Sequence, residues 1–289
     1  MKERTDAALV RLGLFPSREK AQAAIMAGQV FRGETKVLKA SEPFAEGDSL
    51  AVRGPVHDFV SRGALKLEKA LRVFHADLRN RVVLDIGAST GGFTDVSLRA
   101  GASHVYSVDV GYGQLDWKLR NDPRVTVMER TNARYLTADQ FPLLPSVTVM
   151  DVSFISIRLI LPVAAAIMGE EGVFYTLIKP QFEAGREKIG KKGVVRDPAV
   201  HAAVLGEIVR FAETFGWRVV AMDYSPIRGP EGNIEFLAEI RRRTDDTPVI
   251  SEESIRALVA RAHASAGRED APSVPGPEAT YAPDSVEQT

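Results

Sequence analysis

Lys179 stands directly after the apolar run "VFYTLI" and directly before Pro180, where a strand pattern ends and a cation has few structural reasons to be. Two carboxylates and a second lysine occupy comparable places. Asp151 closes the run "SVTVM", Glu235 lies at the start of the strand-like run "NIEFLAEIRR", and Lys66 sits in "SRGALKLEKAL", ahead of a series of strand-like runs. Each has an ordinary reading when taken alone: Lys66 as a solvated helix lysine, Asp151 or Glu235 as a strand-end turn. Together, two amines interleaved with two carboxylates suit the handling of a hydroxyl nucleophile. Burial and a cationic neighbour both favour a neutral amine, which could take the proton while the other groups hold the hydroxyl in place. The chain contains no cysteine, which removes thiolate nucleophiles, thiolate zinc sites and disulfides. Its 5 histidines are scattered without ligand spacing, so no metal is expected.

The segment "VVLDIGASTGGFTDVSL", residues 82 to 98, passes from a buried-strand pattern through glycines into an amphipathic helix. In an open parallel sheet the ligand lies beyond the C-terminal strand ends, and glycines after the first strand let backbone approach it. Gly87, Gly91 and Gly92 fit that duty. A dinucleotide would want G-x-G-x-x-G, whereas the order here is D-x-G-x-x-x-G-G. Asp85 places a carboxylate where a phosphate would be repelled and an ammonium group welcomed. S-adenosyl-L-methionine carries that ammonium, a sulfonium and no phosphate, and is the expected cofactor. Asp109 ends the next strand-like run at roughly the offset of about 20 from the glycines at which an acid grips ribose hydroxyls. Asn132 in "ERTNARYL" is placed to meet the adenine edge, and Ser89 and Phe93 complete the expected donor-binding set. The competing reading is that Asp85 and Asp109 merely cap turns. As for the methyl acceptor, carbon 5 of a pyrimidine would need the missing cysteine. A base amino group is commonly held by a Pro-Pro-aromatic run, where this chain has "DVSF".

The elements that must position these residues alternate. From residue 81 the runs "RVVLDIG", "HVYSVDVG", "VTVME", "SVTVMDVSF" and "GVFYTLIKP" are separated by helical patterns from 92, near 114 and near 157. A helix is expected over 198–215, followed by "WRVVAMDYS" and "NIEFLAEIRR" as an antiparallel pair. This pattern predicts an α/β fold, a mainly parallel sheet with helices on both faces. Ahead of it, "TDAALVRLGL" and "SREKAQAAIMAGQV" read as helices, the second capped by Ser17 and stopped by Gly28, with short strands in "QVFRG", "TKVLKA" and "SLAVRG". The expected domains are a small module over 1–54, a linker and leading helix over 55–80, the α/β domain over 81–245 and a C-terminal helix over 246–265. A Pro-rich acidic tail over 266–289 is expected to be disordered.

Composition agrees with a globular chain: 289 residues, 45% hydrophobic and 26% charged. The run "LILPVAAAIM" is well short of the roughly 20 residues of a membrane span, and the N-terminus has no signal-peptide core, so a cytoplasmic protein without membrane contact is expected. The net charge of −1 averages over unlike regions. Glu269, Asp270, Glu278, Asp284 and Glu287 in the tail leave the remainder mildly basic, and Arg4, Arg11, Arg18, Lys20, Arg32, Lys36, Lys39 and Arg53 decorate the small module.

The motifs "SRGALKL", "LDIGASTGGFTD", "VDVGYGQL", "MDVSFIS", "IKPQFE", "GKKGVVRD" and "EGNIEFL", in this order, resemble those of the TlyA family. These are hemolysin A-named ribosomal RNA 2′-O-methyltransferases with an FtsJ-like catalytic domain, and the resemblance covers residues 4 to about 243. It implies a Rossmann-like S-adenosylmethionine-dependent methyltransferase sheet with a small N-terminal α+β RNA-binding domain of the alpha-L type. It also implies a Lys-Asp-Lys-Glu catalytic tetrad on Lys66, Asp151, Lys179 and Glu235, with cytidine ribose hydroxyls of ribosomal RNA or ribosomal subunits as targets. Arg4, Arg18, Lys20, Arg32, Lys188, Lys191, Lys192 and Arg196 are the expected RNA contacts. Ala64, where glycine is frequent, and "FRGE", in place of a "VNG" turn, depart from the pattern. Two other classes of function compete: a membrane-active hemolysin, for which the apolar segments are missing, and a non-catalytic RNA-binding assembly factor, which would have no need of the tetrad.

Overall fold

The short helical patterns at the start of the chain pair their apolar faces in a small module. In the computed structural model, Glu3–Arg4 (β1) leads into Thr5–Arg11 (α1) and Arg18–Met26 (α2). Val30–Arg32 (β2), Thr35–Lys36 (β3), Pro43–Phe44 (β4) and Leu50–Val52 (β5) follow. Strand β2 pairs antiparallel with both β3 and β5, and β1 pairs with β4. Ala8 and Leu9 of α1, Ala21 and Ile25 of α2, and Val30 and Leu50 are buried together. Lys20 donates its backbone amide to the Ser17 hydroxyl, the expected cap, whereas Gly28 lies outside the described residues. Those are 3–26, 29–33, 35–45, 48–52, 59–169, 171–190, 193–265 and 279–281. Two compact units divide the chain, Met1–Asp58 with Ala271–Thr289, and Phe59–Asp270.

The second unit opens with Ala64–Val73 (α3) and then alternates. Val82–Ile86 (β6), Gly92–Arg99 (α4), His104–Val108 (β7), Trp117–Arg120 (α5), Val125–Met128 (β8) and Val147–Met150 (β9) come first. Leu161–Ile167 (α6), Val173–Ile178 (β10), Pro180–Glu183 (α7), Pro198–Glu213 (α8), Trp217–Tyr224 (β11), Phe236–Arg242 (β12) and Glu252–Ala264 (α9) complete it. The strands form a 7-stranded sheet in the order β11-β12-β10-β9-β6-β7-β8. Neighbours from β8 to β10 are parallel, while β12 runs antiparallel to both β10 and β11. This is the mainly parallel sheet that the alternation predicts, with its antiparallel pair.

Successive side chains of a strand point to opposite faces, and both faces here are covered. Leu84, Ile86, Tyr106, Val108, Phe174 and Ile178 share one apolar cluster with residues of α6, α8 and α9. Val83, Val105, Val147, Val149, Tyr175 and Leu177 share the other with residues of α3 and α4. Helix α8 starts where expected because Asp197 accepts from the Ala199 amide and Pro198 fills the first helical position. The helix expected near 114 is a single short turn at Trp117–Arg120, and the one near 157 begins as a 3₁₀ turn, Ile157–Leu159. Most of the expected disordered tail lies outside the described residues. Its segment Ala279–Tyr281 (β13) is a strand paired with β5, a departure from that expectation that suits the β propensity of Thr and Tyr.

One rim of the sheet collects the C-terminal ends of the parallel strands. Because Ile178 pairs with Phe236, the start of antiparallel β12 lies at this rim too. Of the six non-glycine residues with positive φ among the described residues, four lie in its loops: Ser89 at 49°, Arg130 at 53°, Phe154 at 64° and Glu231 at 57°. Such conformations cost energy and are retained where the surrounding structure enforces them, which marks this rim as the place to look for chemistry.

Candidate active site

Lys66, Asp151, Lys179 and Glu235 come together at the rim as an alternating row of charges. The Lys66 ammonium lies 2.7 Å from Glu235 and 3.2 Å from Asp151, and Lys179 lies 2.6 Å from the other oxygen of Asp151. Lys179 also donates to the Ser153 hydroxyl at 3.0 Å. The Glu235 side chain is fully enclosed, those of both lysines are nearly so, and that of Asp151 is the most open of the four at 17%. The row is therefore anchored in the protein at Glu235 and reaches solvent at Asp151.

Burial pushes the Lys66 amine toward its neutral form, but the charges of Asp151 and Glu235 outweigh it and the net shift is upward. Burial also works against the charge on Asp151, and here Lys66 and Lys179 prevail and hold its carboxyl below the usual value. Lys66 is thus a fixed cation between two carboxylates, one of the groups that hold the row in place. Among the described residues, Lys179 faces one carboxylate within ion-pair distance and a neutral hydroxyl.

The loop after β6 meets this row through its backbone. Gly87 has a φ of 86°, and a β-carbon on it would fall 2.6 Å from the Asp151 carbonyl oxygen. Its neighbours Gly91 and Gly92 are buried, the first against Leu115, the second against Ser61 and Ala64. All three glycines are thus closely packed inside the protein, at the positions where the sequence reading expects backbone to approach a ligand. Phe93 is likewise taken up by the apolar cluster of α3 and α4.

Asp85 is fully enclosed. One of its oxygens accepts from Thr94 Oγ1 at 2.6 Å, and Thr94 is in turn 2.7 Å from the Ser107 hydroxyl. The other oxygen has no hydrogen-bond partner among the described residues. Burial raises the Asp85 carboxyl to about 7, against the opposing hydrogen bond from Thr94. Asp109 accepts from the backbone amides of Ser89 at 2.8 Å and Gly111 at 2.6 Å, so it caps the loops around it. Ser89 bonds to Gln114 through its hydroxyl, and Ala88, Ser89, Asp109, Gly111, Gln114 and Glu129 line a shallow surface depression. Asn132 does not line it; its side chain caps the 3₁₀ turn Ala133–Tyr135. An orphaned carboxylate oxygen for a cation and a second acid on the neighbouring strand end for hydroxyls fit the chemistry of the expected donor.

Residues unremarked in the sequence reading complete the rim. Phe154, 91% exposed, holds its ring 5.1 Å from Phe182. An exposed phenyl at a strained position is a platform on which a splayed base can stack. Buried Asn233 accepts from the Val195 amide and donates to the Gly193 carbonyl, pinning the loop "GKKGVVRD" beside Glu235. Lys188 and Arg196 are exposed on that loop, while Lys191 and Lys192 lie outside the described residues. In the N-terminal unit, enclosed Asp6 binds Arg4 at 3.0 Å and Arg18 at 3.1 Å and also accepts from Gln22. The Arg4 hydrogen bond foremost depresses its carboxyl well below the usual range. One acid thus aligns two half-exposed guanidiniums. Arg32 bonds to the Pro43 carbonyl and Asp48, and Lys20 is exposed. Asp6 two positions after Arg4 was the available sequence signal, but its burial and its folding against α2 could not be read from spacing.

The family model described as FtsJ-like methyltransferase matches residues 59–242, and the S4 domain model matches residues 3–50. The chain is 44% identical over 243 residues to the 16S/23S rRNA (cytidine-2'-O)-methyltransferase TlyA of Mycobacterium tuberculosis, covering 84% of this chain and 91% of that one. It is 43% identical over 227 residues to the protein named Hemolysin A of Brachyspira hyodysenteriae, covering 78% and 94%. A solved structure of a candidate hemolysin from Streptococcus thermophilus superposes with a TM-score of 0.73 at 47% identity, covering 91% and 96%. Among the described residues, no helix is long and apolar enough to cross a membrane.

Proposed function

The chain belongs to the FtsJ-like methyltransferase family and carries an S4 domain, and from that premise we propose that it methylates the 2′-hydroxyl of cytidine ribose in ribosomal RNA. The observation that carries this reading is the alternating row Glu235, Lys66, Asp151, Lys179, with successive charges 2.6 to 3.2 Å apart. S-adenosyl-L-methionine supplies an activated methyl group on a sulfonium, so the protein need only bind, align and deprotonate the acceptor.

Asp85 is the group to hold the donor's ammonium, through the oxygen left without a partner, and Asp109 the group to hold its ribose. Lys179 ends the row beyond Asp151, the member that reaches solvent, with Ser153 beside it. It orients the ribose hydroxyl and, with its amine unprotonated, takes the hydroxyl proton to become the ammonium that pairs with Asp151, while Asp151, fixed by Lys66, keeps the Lys179 side chain in register. Glu235 keeps the buried Lys66 cation compensated. Phe154 is the surface for the displaced base.

The S4 module over 1–54, through Arg4, Arg18, Lys20 and Arg32, and the loop with Lys188, Lys191, Lys192 and Arg196 contribute phosphate contacts, which fix position, not sequence. The methyltransferase domain over 81–245, the connecting segment 55–80 and the C-terminal helix segment 246–265 belong to the same reading, as does action in the cytoplasm where ribosomes assemble. The test is direct. Pure protein is incubated with labelled donor and separated ribosomal subunits, and the product is mapped by mass spectrometry. A single methylated cytidine ribose is expected; label on a base, or on protein alone, would sink the proposal.

A further inference from the structure

Among the described residues, two arginines beside the tetrad have no counter-charge. Arg62 lies in the turn that leads into α3, just ahead of Lys66, and its Nη2 donates to the backbone carbonyl of Arg228 at 3.3 Å. Arg228 lies in the loop between β11 and β12, and its own Nη1 donates to the Gly232 carbonyl at 3.2 Å. Neither forms an ion pair with any described residue. Each gives one hydrogen bond to a neutral carbonyl, which leaves further guanidinium donors on exposed Arg62 and half-buried Arg228 without a carboxylate among the described residues.

The loop is bound to the chemistry. Gly229, next to Arg228, packs so closely on the Glu235 carboxylate that a β-carbon there would overlap it. Arg228 is half-buried, and burial pushes its guanidinium below the ordinary value with nothing opposing. The titratable groups facing it are His201 and His263, whose ring nitrogens lie 2.9 Å apart, and both are held below their ordinary values first by burial and further by the Arg228 charge. Asp197 acts in the opposite sense on both histidines but makes no ion pair with Arg228. A partly desolvated cation without an anion is an unfavourable feature in the free protein, and an oxyanion ligand would relieve it.

We propose that Arg62 and Arg228 form a clamp for one phosphodiester of the RNA strand, adjoining the ribose presented to the tetrad. The inference rests on the RNA methyltransferase reading above and goes beyond it by naming the residues that fix the strand at the reacting nucleotide. Planar guanidiniums from two loops suit the tetrahedral oxygens of a phosphate, which each can bind through paired donors. The clamp ties Lys66 on one side and Glu235 on the other to a single backbone group. Strand placement and tetrad geometry are thereby set by the same phosphate.

The test measures binding of a ribosomal RNA transcript to the full chain as a function of salt, with donor affinity followed separately by calorimetry. Arg228→Ala leaves the backbone carbonyl that anchors Arg62, so it removes one side of the clamp alone. The log–log salt slope is expected to fall by about 0.7 to 0.9 for each phosphate no longer neutralised. Arg62→Ala should do the same, Arg62→Lys should keep most of the slope, and donor affinity should stay at the wild-type value in each. Thermal melts of the same variants show that they are folded. An unchanged slope in Arg228→Ala overturns the clamp, and so does a loss of donor affinity, which would assign these cations to the donor carboxylate. Should the wild-type chain methylate no RNA, the functional reading falls, while the slopes still decide whether the clamp binds phosphate.

Discussion

Gly87 touches the backbone of Asp151: with its φ of 86°, a β-carbon at Gly87 would stand 2.6 Å from the Asp151 carbonyl oxygen. The loop proposed to hold the donor and the residue at the centre of the tetrad are thus one packed unit. A shift in either moves the other.

Gly87→Ala is expected to damage stability and methyl transfer together. The left-handed backbone alone costs an L-residue about 1–2 kcal/mol, and the overlap with Asp151 adds to it. Thermal melts and donor titrations on the same preparation check this. A variant that melts like the wild type yet has lost turnover would show that the glycine serves catalysis by some route other than packing.

Lys179→Ala should lower turnover by about 10²–10⁴-fold, the loss typical of an acid-base group, while donor and RNA affinities hold. Lys179→Arg should fail nearly as badly, because a guanidinium keeps the charge and does not release its proton near neutral pH. Single-turnover kinetics separate the two effects. Recovery of most activity by arginine would leave Lys179 with an electrostatic role and pass proton removal to Asp151 or water.

Lys66 and Glu235 should behave as a coupled pair. Lys66→Met strands the enclosed Glu235 carboxylate and should cost about 3–5 kcal/mol of stability, as breaking a buried pair does. Adding Glu235→Gln should restore much of the melting temperature and none of the activity. Additive losses in the double variant would mean that the two groups do not compensate each other.

Asp85 should impose a pH dependence around neutrality. Its carboxyl lies at about 7 in the fold against an ordinary 3.8, so the folded chain binds this proton more tightly than the unfolded chain does. Its contribution to stability is full below about 4 and is lost as pH rises through about 7. An ammonium partner needs the ionised form, so donor affinity should rise over the same upper range. Asp85→Asn should flatten both profiles and weaken donor binding. Parallel pH profiles for wild type and variant, by melting and by calorimetry, would remove Asp85 from the donor site.

Asn233→Ala should release the loop that carries Lys188 and Arg196, since both ends of the amide are bonded to that loop. The expected result is a raised KM for ribosomal RNA with donor affinity preserved. A fall in kcat alone would point to Glu235, two residues further on, as the group disturbed.

The sequence disclosed the sheet because its strands carry unbroken apolar runs with turn residues between them. "VFYTLI" is buried at every position, and period-two alternation sorts its residues onto the two faces. The tetrad was legible for a related reason, since charged residues that terminate apolar strands are few and the topology brings their ends to one rim. The small module's β1–β4 pairing was not, because two-residue strands leave no periodicity. The glycines were legible in part: spacing shows that backbone must come close to something, but that the Asp151 carbonyl lies against Gly87 depends on a distant segment. Arg62 and Arg228 escaped notice because a missing counter-charge is a property of three-dimensional surroundings, invisible in a chain with nearly balanced charge.

Strand β12 inserts between β10 and β11, both of which precede it in the chain. During synthesis, therefore, β10 waits with an open edge and β11 has no partner in the sheet until residues 236–242 have emerged. An open strand edge invites association with other chains, so the nascent protein is most vulnerable just before this step. Glu235 arrives at the head of that strand, after the other three members of the tetrad are already made. Translation order thus withholds the buried end of the charge row, and with it the compensated Lys66, until the central sheet can close. A chain interrupted before this strand would have an incomplete sheet and no assembled row, whatever RNA its N-terminal half could hold.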